Sequence, residues 1–111
     1  MNKLTSDPVN RQLILSEVYA ERDIQDEKFG LQDVPMGTGP AFQAESDMAR
    51  RACDAAFAVG RGTYRDILTE EFWEAMAEDD PALLRKELIQ VAAVAVKMIE
   101  VLDQNHPRGN A

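Results

Sequence analysis

Apolar residues recur along most of the chain at intervals of three and four positions, which is the spacing of one face of an α-helix. No stretch shows the strict alternation of apolar and polar residues that is typical of a half-buried β-strand. The pattern therefore predicts an all-α fold. Capping residues, glycines and prolines divide it into four helices.

The first two helices are predicted on either side of a long loop. Ser6-Asp7-Pro8 is a typical helix start, and the helix that follows spans about residues 9–28. Residues 30–40 contain three glycines and two prolines, which predict a loop. The second helix spans about residues 41–59 and ends at Gly60-Arg61-Gly62.

The boundaries of the last two helices follow from capping signals. Thr63 and Asp66 have the spacing of a capping box and open the third helix. Asp80 is a good N-cap and Pro81 a good first-turn residue, so they end the connection and start the fourth helix. The fourth helix runs to about Asp103. We therefore predict a single domain over residues 1–111, with its core at about 9–103 and a flexible tail at 104–111.

The third helix carries acidic residues on the face that its apolar residues mark for burial. Successive helical residues are about 100° apart, and this spacing defines an apolar face formed by Tyr64, Ile67, Leu68 and Ala75. Glu71 and Glu74 fall inside this face, and Glu70 lies at its edge. A buried carboxylate is unfavourable unless something compensates its charge.

The fourth helix repeats this feature. Its apolar stripe consists of Leu83, Leu84, Val91, Val94, Met98, Val101 and Leu102. Glu87 lies near the middle of the stripe and Gln90 on its flank. Because the connection to the third helix is very short, the two helices should pack as an antiparallel hairpin.

In such a hairpin, positions equally far from the turn face each other. Glu74 should therefore face Glu87, and Glu71 should face Gln90, one helical turn further from the connection. Carboxylates held together away from water can be protonated, paired with a basic side chain or bound to a metal ion. An oxygen-only set of this kind suits Mg²⁺ or Mn²⁺. Alternatively, the glutamates reach solvent between loosely packed helices.

Other metal chemistries need residues that the chain does not have. A di-iron helical bundle requires two E-x-x-H pairs, whereas His106 is the one histidine and lies in the predicted tail. A zinc site of cysteines and histidines fails for the same reason, because Cys53 is the one cysteine. A lone cysteine among alanines is most simply a small core residue, and it fits a reducing cytoplasm.

Charge and hydropathy narrow the class of protein further. The formal net charge of −8 argues against a nucleic-acid-binding protein, which would show a basic face. No apolar run approaches the roughly 20 residues of a membrane span. The N-terminus lacks the apolar segment of a secretory signal. We therefore expect a cytoplasmic protein, in a bacterium or a phage-infected host, that binds neither nucleic acid nor membrane.

Three segments of the chain resemble the MazG-like all-α nucleotide pyrophosphohydrolases. The first is the E-E-x-x-E of Glu70, Glu71 and Glu74, followed on the next helix by the E-x-x-Q of Glu87 and Gln90. The second, AERDIQDEKFGLQDVP (residues 20–35), is similar to a segment of a small phage-encoded branch of this superfamily. The third, LRKELIQVAAVAVKMIEVLD (residues 84–103), is similar to the same branch.

The resemblance implies a helical bundle that hydrolyses (deoxy)nucleoside triphosphates to the monophosphate and pyrophosphate. Glu71, Glu74 and Glu87 would bind Mg²⁺ or Mn²⁺, and a water activated by the metal would attack the α-phosphorus. Gln90 occupies the position at which the wider family has aspartate, and its amide oxygen can also serve as a ligand. Glu70 would orient the water or bind a second metal, although it also fits an exposed helix position.

The resemblance also implies a substrate-binding segment and an oligomer. Arg22, Gln25, Lys28 and Phe29 would meet the triphosphate and the base; alternatively they form a solvated face with Phe29 in the core. Trp73 and Met76 point away from the glutamates, and the fourth helix is apolar nearly all round from Leu88 to Val96. These surfaces predict a subunit interface in a dimer or tetramer.

A rival interpretation from another class is a non-catalytic helical-bundle protein that interacts with a partner. The glutamine at position 90 favours it, whereas glutamates on buried faces oppose it. A divalent-cation sensor or buffer is a third interpretation, which predicts metal binding without turnover.

Overall fold

The computed structural model describes residues 4–107 and is helical throughout its regular segments. The α-helices are α1 (Pro8–Phe29), α2 (Gln43–Ala58), α3 (Tyr64–Met76) and α4 (Pro81–Asn105), with a short 3₁₀-helix at Pro40–Phe42 before α2. Residues 4–107 contain no β-strand. The predicted all-α class with four α-helices is confirmed for this part of the chain.

The predicted capping residues act as expected because each one needs partners only three positions away. Asp7 accepts a hydrogen bond from the backbone N–H of Asn10 at 3.0 Å. Thr63 and Asp66 form the capping box, with Thr63 N donating to Asp66 at 2.9 Å and Asp66 N donating to the Thr63 hydroxyl at 3.2 Å. Asp80 caps α4 by accepting from Leu83 N at 3.1 Å.

Two helix ends differ from the sequence prediction. Helix α3 stops at Met76, three residues before the acidic turn. Helix α4 continues to Asn105, into the segment predicted as a flexible tail. Gln104 accepts from Thr5 N at 3.0 Å and donates to Thr5 O at 2.6 Å, so this end of the helix is held by the residues that precede α1. The rest of the predicted tail from 108 to 111 lies outside the described residues.

The chain divides into two compact units, residues 1–35 with 96–111 and residues 36–95, and α4 contributes to both. In the first unit, Ile14 of α1 is 1% exposed. Polar contacts join α1 to the second half of α4: Arg11 lies 3.1 Å from the buried Glu100, and Asn10 donates to Asp103 at 3.0 Å. A buried glutamate of α4 is therefore paired with an arginine of α1.

The second unit contains α2, α3 and the first half of α4. Its buried apolar residues are Cys53, Ala75 and Leu84. The ring of Trp73 packs against the rings of Phe42, at 5.8 Å between centroids, and Phe72, at 5.0 Å. The loop before α2 is tied to the end of α3 by a hydrogen bond from Gly39 N to Met76 O at 2.8 Å.

The apolar stripe of α4 is wider than the surface its neighbours cover. Leu83 and Leu102, which the helical pattern assigned to the buried stripe, are 51% and 56% exposed. Leu88 and Ile89 are also exposed. They line a cavity of about 730 Å³ in the second unit together with Met36 and Leu84.

Candidate metal centre

Three glutamates converge in the second unit. Glu71 and Glu74 project from successive turns of α3, and Glu87 projects from α4. One carboxylate oxygen from each residue lies within 4.8 Å of the others, and all three residues are partly buried. Because Ala75 of α3 and Leu84 of α4 are buried nearby in sequence, the packed faces of the two helices bring these side chains together.

Gln90 completes the cluster from the next turn of α4. With its amide nitrogen oriented toward the carboxylates, it donates to Glu87 at 3.1 Å and to Glu71 at 3.2 Å. The glutamine therefore bridges two carboxylates as a neutral hydrogen-bond donor. A rotation of the amide by 180° would present its oxygen instead, which is the atom a cation would use.

These contacts agree with the predicted register of the α3–α4 hairpin. Glu71 meets Gln90, and Glu74 lies beside Glu87, so both facing pairs are equally far from the connection. This order is that of an antiparallel pair. The short connection over residues 77–80 is what makes the register predictable.

Crowding changes the acidity of the cluster. The pKa of Glu74 is raised to about 7, first because the carboxyl group is withdrawn from water and then because nearby carboxylates repel its charged form. Burial also raises the pKa of Glu71, followed by the charges of Glu87 and Glu70. The charged carboxylates of Glu71 and Glu74 are therefore unfavourable without a counter-ion, and a bound cation would stabilise them.

Glu70 lies at the edge of this cluster and is held from the neighbouring helix. Cys53 of α2, which is 6% exposed, donates its thiol hydrogen to the Glu70 carboxylate. Burial, this hydrogen bond and nearby negative charges raise the pKa of Cys53 to about 11. The thiol therefore stays protonated at neutral pH. The predicted burial of Cys53 is confirmed, and its contact with Glu70 is an addition that the sequence did not indicate.

Arg50 of α2 is a basic residue whose charge acts on Glu74. Its positive charge lowers the pKa of Glu74, against the larger effects of burial and of the other glutamates. The guanidinium is 3.0 Å from Asp47, one turn earlier on α2. The side chain is 54% exposed, so it has room to move.

The donor set fits a hard divalent cation. Mg²⁺ and Mn²⁺ bind carboxylate and amide oxygens, and a few carboxylates with water and phosphate ligands are a usual Mg²⁺ environment. Glu71, Glu74 and Glu87 supply three carboxylates at one point, and Gln90 supplies an amide. Cys53 is not a ligand of this type, because its sulfur is protonated and bonded to Glu70.

The predicted substrate-binding residues are in the first unit, in the last two turns of α1. Arg22, Gln25 and Phe29 line a cavity of about 450 Å³. Arg22 is bonded to Asp26 at 3.0 Å and to Gln25 at 3.2 Å. Lys28 is outside that lining, with its Nζ 5.2 Å from the centre of the Phe29 ring. Phe29 is 58% exposed, which excludes the alternative placement of this ring in the core.

Two interactions of the centre were not singled out from the sequence: that of Cys53 with Glu70, and the electrostatic effect of Arg50 on Glu74. A signal for both exists. Helices α2 and α3 are joined by a five-residue connection over 59–63, so they also form an antiparallel hairpin. Counting outward from Arg61, Cys53 is eight residues from the centre and Glu70 nine, whereas Arg50 is eleven and Glu74 thirteen, so the count brings each pair only to within one or two positions of each other.

Comparison of the chain with family models, curated proteins and solved structures gave no match. Within residues 4–107, none of the helices combines the length and the apolar character that crossing a membrane requires. A function for this protein therefore has to be derived from the chemistry of its acidic cluster.

Proposed function

We propose that the protein is a metal-dependent hydrolase that converts (deoxy)nucleoside triphosphates to nucleoside monophosphates and pyrophosphate. The observation that carries this proposal is the convergence of Glu71, Glu74 and Glu87, with oxygen atoms within 4.8 Å of one another. The resemblance of the E-E-x-x-E and E-x-x-Q segments to MazG-like pyrophosphohydrolases supports the same reaction.

The roles of the side chains follow from their positions. Glu71, Glu74 and Glu87 would hold Mg²⁺ or Mn²⁺, with the Gln90 amide turned to offer its oxygen. A bound dication supplies neutralisation of phosphate charge and lowers the pKa of its water. Glu70, which interacts with the Cys53 thiol, would accept a proton from a water molecule near the metal ligands. The conversion of α–β phosphoanhydride and water to two phosphate products requires this proton to be removed.

The residues at the end of α1 to which the resemblance assigns substrate binding line a cavity of their own in the first unit. Arg22 and Gln25 provide donors for phosphate oxygens, and the exposed ring of Phe29 provides a face on which a base can stack. The ion pair of Arg22 with Asp26 is partly exposed and therefore contributes little stability. Arg22 can exchange this partner for a phosphate at small cost.

A second candidate function is divalent-cation binding without turnover. The specific observation in its favour is that Gln90 donates hydrogen bonds to Glu71 and Glu87 and so reduces the charge repulsion without any metal. A protein that only senses or buffers a cation, or a helical interaction protein, would need no catalytic water. Both proposed functions predict that the protein binds a divalent cation, and only the hydrolase predicts turnover of a nucleoside triphosphate.

The experiment that separates them is incubation of the protein with a panel of ribo- and deoxyribonucleoside triphosphates and Mg²⁺ or Mn²⁺. We expect monophosphate and pyrophosphate as the early products, and no reaction in excess EDTA. Early release of orthophosphate would show that the γ-phosphate is attacked and that the proposed reaction is wrong. Metal binding by calorimetry with no turnover of any substrate would favour the sensor or buffer.

Replacing Gln90 with aspartate should strengthen the metal site and weaken the metal-free protein. Gln90→Asp adds a fourth carboxylate and removes the two hydrogen bonds to Glu71 and Glu87. We expect Mg²⁺ to bind about tenfold more tightly, because each additional anionic ligand attracts the dication. Thermal unfolding in EDTA should show a lower Tm than that of the wild type. Unchanged Mg²⁺ affinity would mean that position 90 does not face the cation, and Gln90→Asn is the uncharged control.

We further propose that the protein is a homo-oligomer, a dimer or a tetramer. Support comes from the exposed Leu83, Leu88 and Ile89 of α4, which a soluble monomer would leave in water. Trp73 and Met76, also predicted at the interface, are partly buried, and Trp73 is packed against two phenylalanine rings. The main contact is therefore expected on α4.

Sedimentation at micromolar concentration tests the assembly. We expect a mass of at least two chains for the wild type. Ile89→Glu should shift the protein toward the mass of one chain, because a charge would have to be buried at the contact. Glu27→Gln on the exposed face of α1 is the control and should leave the mass unchanged. A wild-type protein with the mass of one chain would contradict the assembly.

A further inference from the structure

The largest cavity described above, beside α4, does not belong to the glutamate cluster. It has a volume of about 730 Å³ and lies wholly within the second unit. Glu87 and Gln90 of the same helix do not line it. We call it the α4 cavity, and its apolar lining consists of Met36, Pro81, Leu84, Leu88, Ile89 and Ala92.

Exposed apolar side chains make the α4 cavity unfavourable in water. Met36, Leu88 and Ile89 are exposed, whereas Leu84, which also lines the cavity, is buried. An apolar surface of this kind often marks a site at which another molecule binds. The apolar lining alone does not identify that molecule, because any apolar surface of suitable shape would fit it.

The charged side chains of the lining narrow the choice. Among the described residues that line the α4 cavity, Asp79 and Arg85 carry a charge, and both are exposed. Neither side chain forms a hydrogen bond or an ion pair within residues 4–107, so they do not pair with each other either. The α4 cavity therefore combines an apolar surface with one unpaired negative charge and one unpaired positive charge.

Two opposite charges on one surface are complementary to a second copy of that surface. In a two-fold interface the same patch lies on both subunits, so residue i contacts residue j and j contacts i. Arg85 of one copy would then pair with Asp79 of the partner subunit, and the same pair would form a second time. A partner with charge of a single sign would attract one of these side chains and repel the other.

We propose that the α4 cavity is a two-fold interface between two copies of this chain, with reciprocal ion pairs between Arg85 and Asp79. This inference rests on the proposed assembly and adds the surface and the contacts that hold it together. The apolar side chains supply the association energy because they leave water. The charges favour an identical copy over other apolar partners, because any other arrangement leaves them unpaired at the interface.

Charge reversal tests the ion pairs, with the dissociation constant of the assembly measured by sedimentation over a range of concentrations. Arg85→Asp leaves two negative charges at each contact, and Asp79→Lys leaves two positive ones. We expect each reversal to weaken association by at least about tenfold, because both copies of the contact become repulsive. Both side chains are exposed, so both variants should fold, and far-UV circular dichroism checks that their helix content matches the wild type.

An equal mixture of the two variants is the decisive measurement. In a mixed assembly one chain contributes two negative charges and the other two positive charges, so both contacts are attractive again. We expect the mixture to recover most of the wild-type association. Lys86→Asp is the matched control, because it makes the same charge reversal next to Arg85 at a position outside the cavity lining. It should change the dissociation constant by no more than about twofold.

The possible results separate the interface from the assembly and from the reaction. A wild type with the mass of one chain would leave the α4 cavity to a different molecule and overturn the interface together with the proposed assembly. A wild-type assembly that both reversals leave unchanged would overturn the interface alone, as would a mixture that associates no better than its components. Equal losses in Lys86→Asp and Arg85→Asp would assign the effect to net charge and also overturn it. None of these measurements involves a nucleotide, so failure of the proposed hydrolysis would leave the interface standing.

Discussion

Replacing Glu74 with glutamine should remove metal-dependent turnover and, at the same time, stabilise the metal-free protein. A carboxylate oxygen of Glu74 lies within 4.8 Å of one from Glu71 and one from Glu87, so the substitution would take one of three carboxylates from the cation. We expect turnover to fall by more than about a hundredfold. Changing a residue that only hydrogen-bonds to a metal ligand typically lowers activity by about 10–100-fold, and losing a ligand itself should have a larger effect. Mg²⁺ affinity should fall with it.

The gain in stability has a separate cause. The raised pKa of Glu74 shows that its charged form is unfavourable in the folded protein. An uncharged amide of the same shape removes that repulsion. Because solvent screens part of the repulsion, we expect the free energy of unfolding to increase by about 1 kcal/mol. This corresponds to a Tm increase of about 4–8 °C in a domain of this size. Functional sites often conflict with stability in this way.

Calorimetric titration with Mg²⁺ and thermal unfolding in EDTA measure the two effects. Glu27→Gln makes the same chemical change at an exposed position outside the cluster and should alter neither. If Glu74→Gln lowered the Tm in EDTA, the carboxylate would be a stabilising group and the cluster a structural one. If it left turnover unchanged, Glu74 would not be a metal ligand.

The parts of the structure that were predictable from the sequence depend on short-range chemistry. Asp7 and Asp80 cap their helices by accepting a hydrogen bond from a backbone N–H only three residues away. Asp66 accepts the reciprocal bond of the capping box from the backbone N–H of Thr63, also three residues away. The pairing of Glu71 with Gln90 was also predictable, since the four-residue connection between α3 and α4 leaves little freedom of register.

Other features depend on neighbours that are distant in sequence. Leu83 and Leu102 have the spacing of core residues, yet they are exposed, because helical periodicity shows which residues share a face and not how much of that face is covered. Arg50 and Arg51 look alike in the sequence. In the folded protein the charge of Arg50 lowers the pKa of Glu74, an effect that the sequence alone does not show.

The role of Gln90 shows a different limit. An amide offers both a donor and an acceptor, so the residue type alone does not say which one faces the carboxylates. Its position was predictable, whereas its action as a donor to Glu71 and Glu87 depends on the arrangement of those oxygens. A metal would favour the opposite orientation, and the same side chain therefore fits both states of the centre.

The stability of the metal-free protein should fall as pH rises from about 4.5 to about 7. An isolated glutamate has a pKa of 4.5, and Glu74 in the folded protein has a pKa of about 7. Between these values the folded protein binds more protons than the unfolded chain, so raising the pH favours unfolding. The raised pKa of Glu71 acts in the same direction. Below this range both states are protonated, and above it both are charged and the penalty stays constant.

Mg²⁺ should reverse this dependence, because a bound cation stabilises the charged carboxylates and competes with protons for them. Thermal unfolding across this pH range, in EDTA and in millimolar Mg²⁺, measures both effects. We expect the Tm gained from Mg²⁺ to be small at pH 5 and largest above pH 7, where the carboxylates are free to bind it. In Glu74→Gln, the Tm in EDTA should depend less on pH, and most of the Tm increase caused by Mg²⁺ should be lost. In Glu27→Gln, the pH dependence and the Tm increase should both match those of the wild type. A wild-type Tm in EDTA that rises steadily from pH 5 to pH 8 would mean that the three carboxylates do not repel one another in the folded protein, and the case for a cation at this cluster would fail.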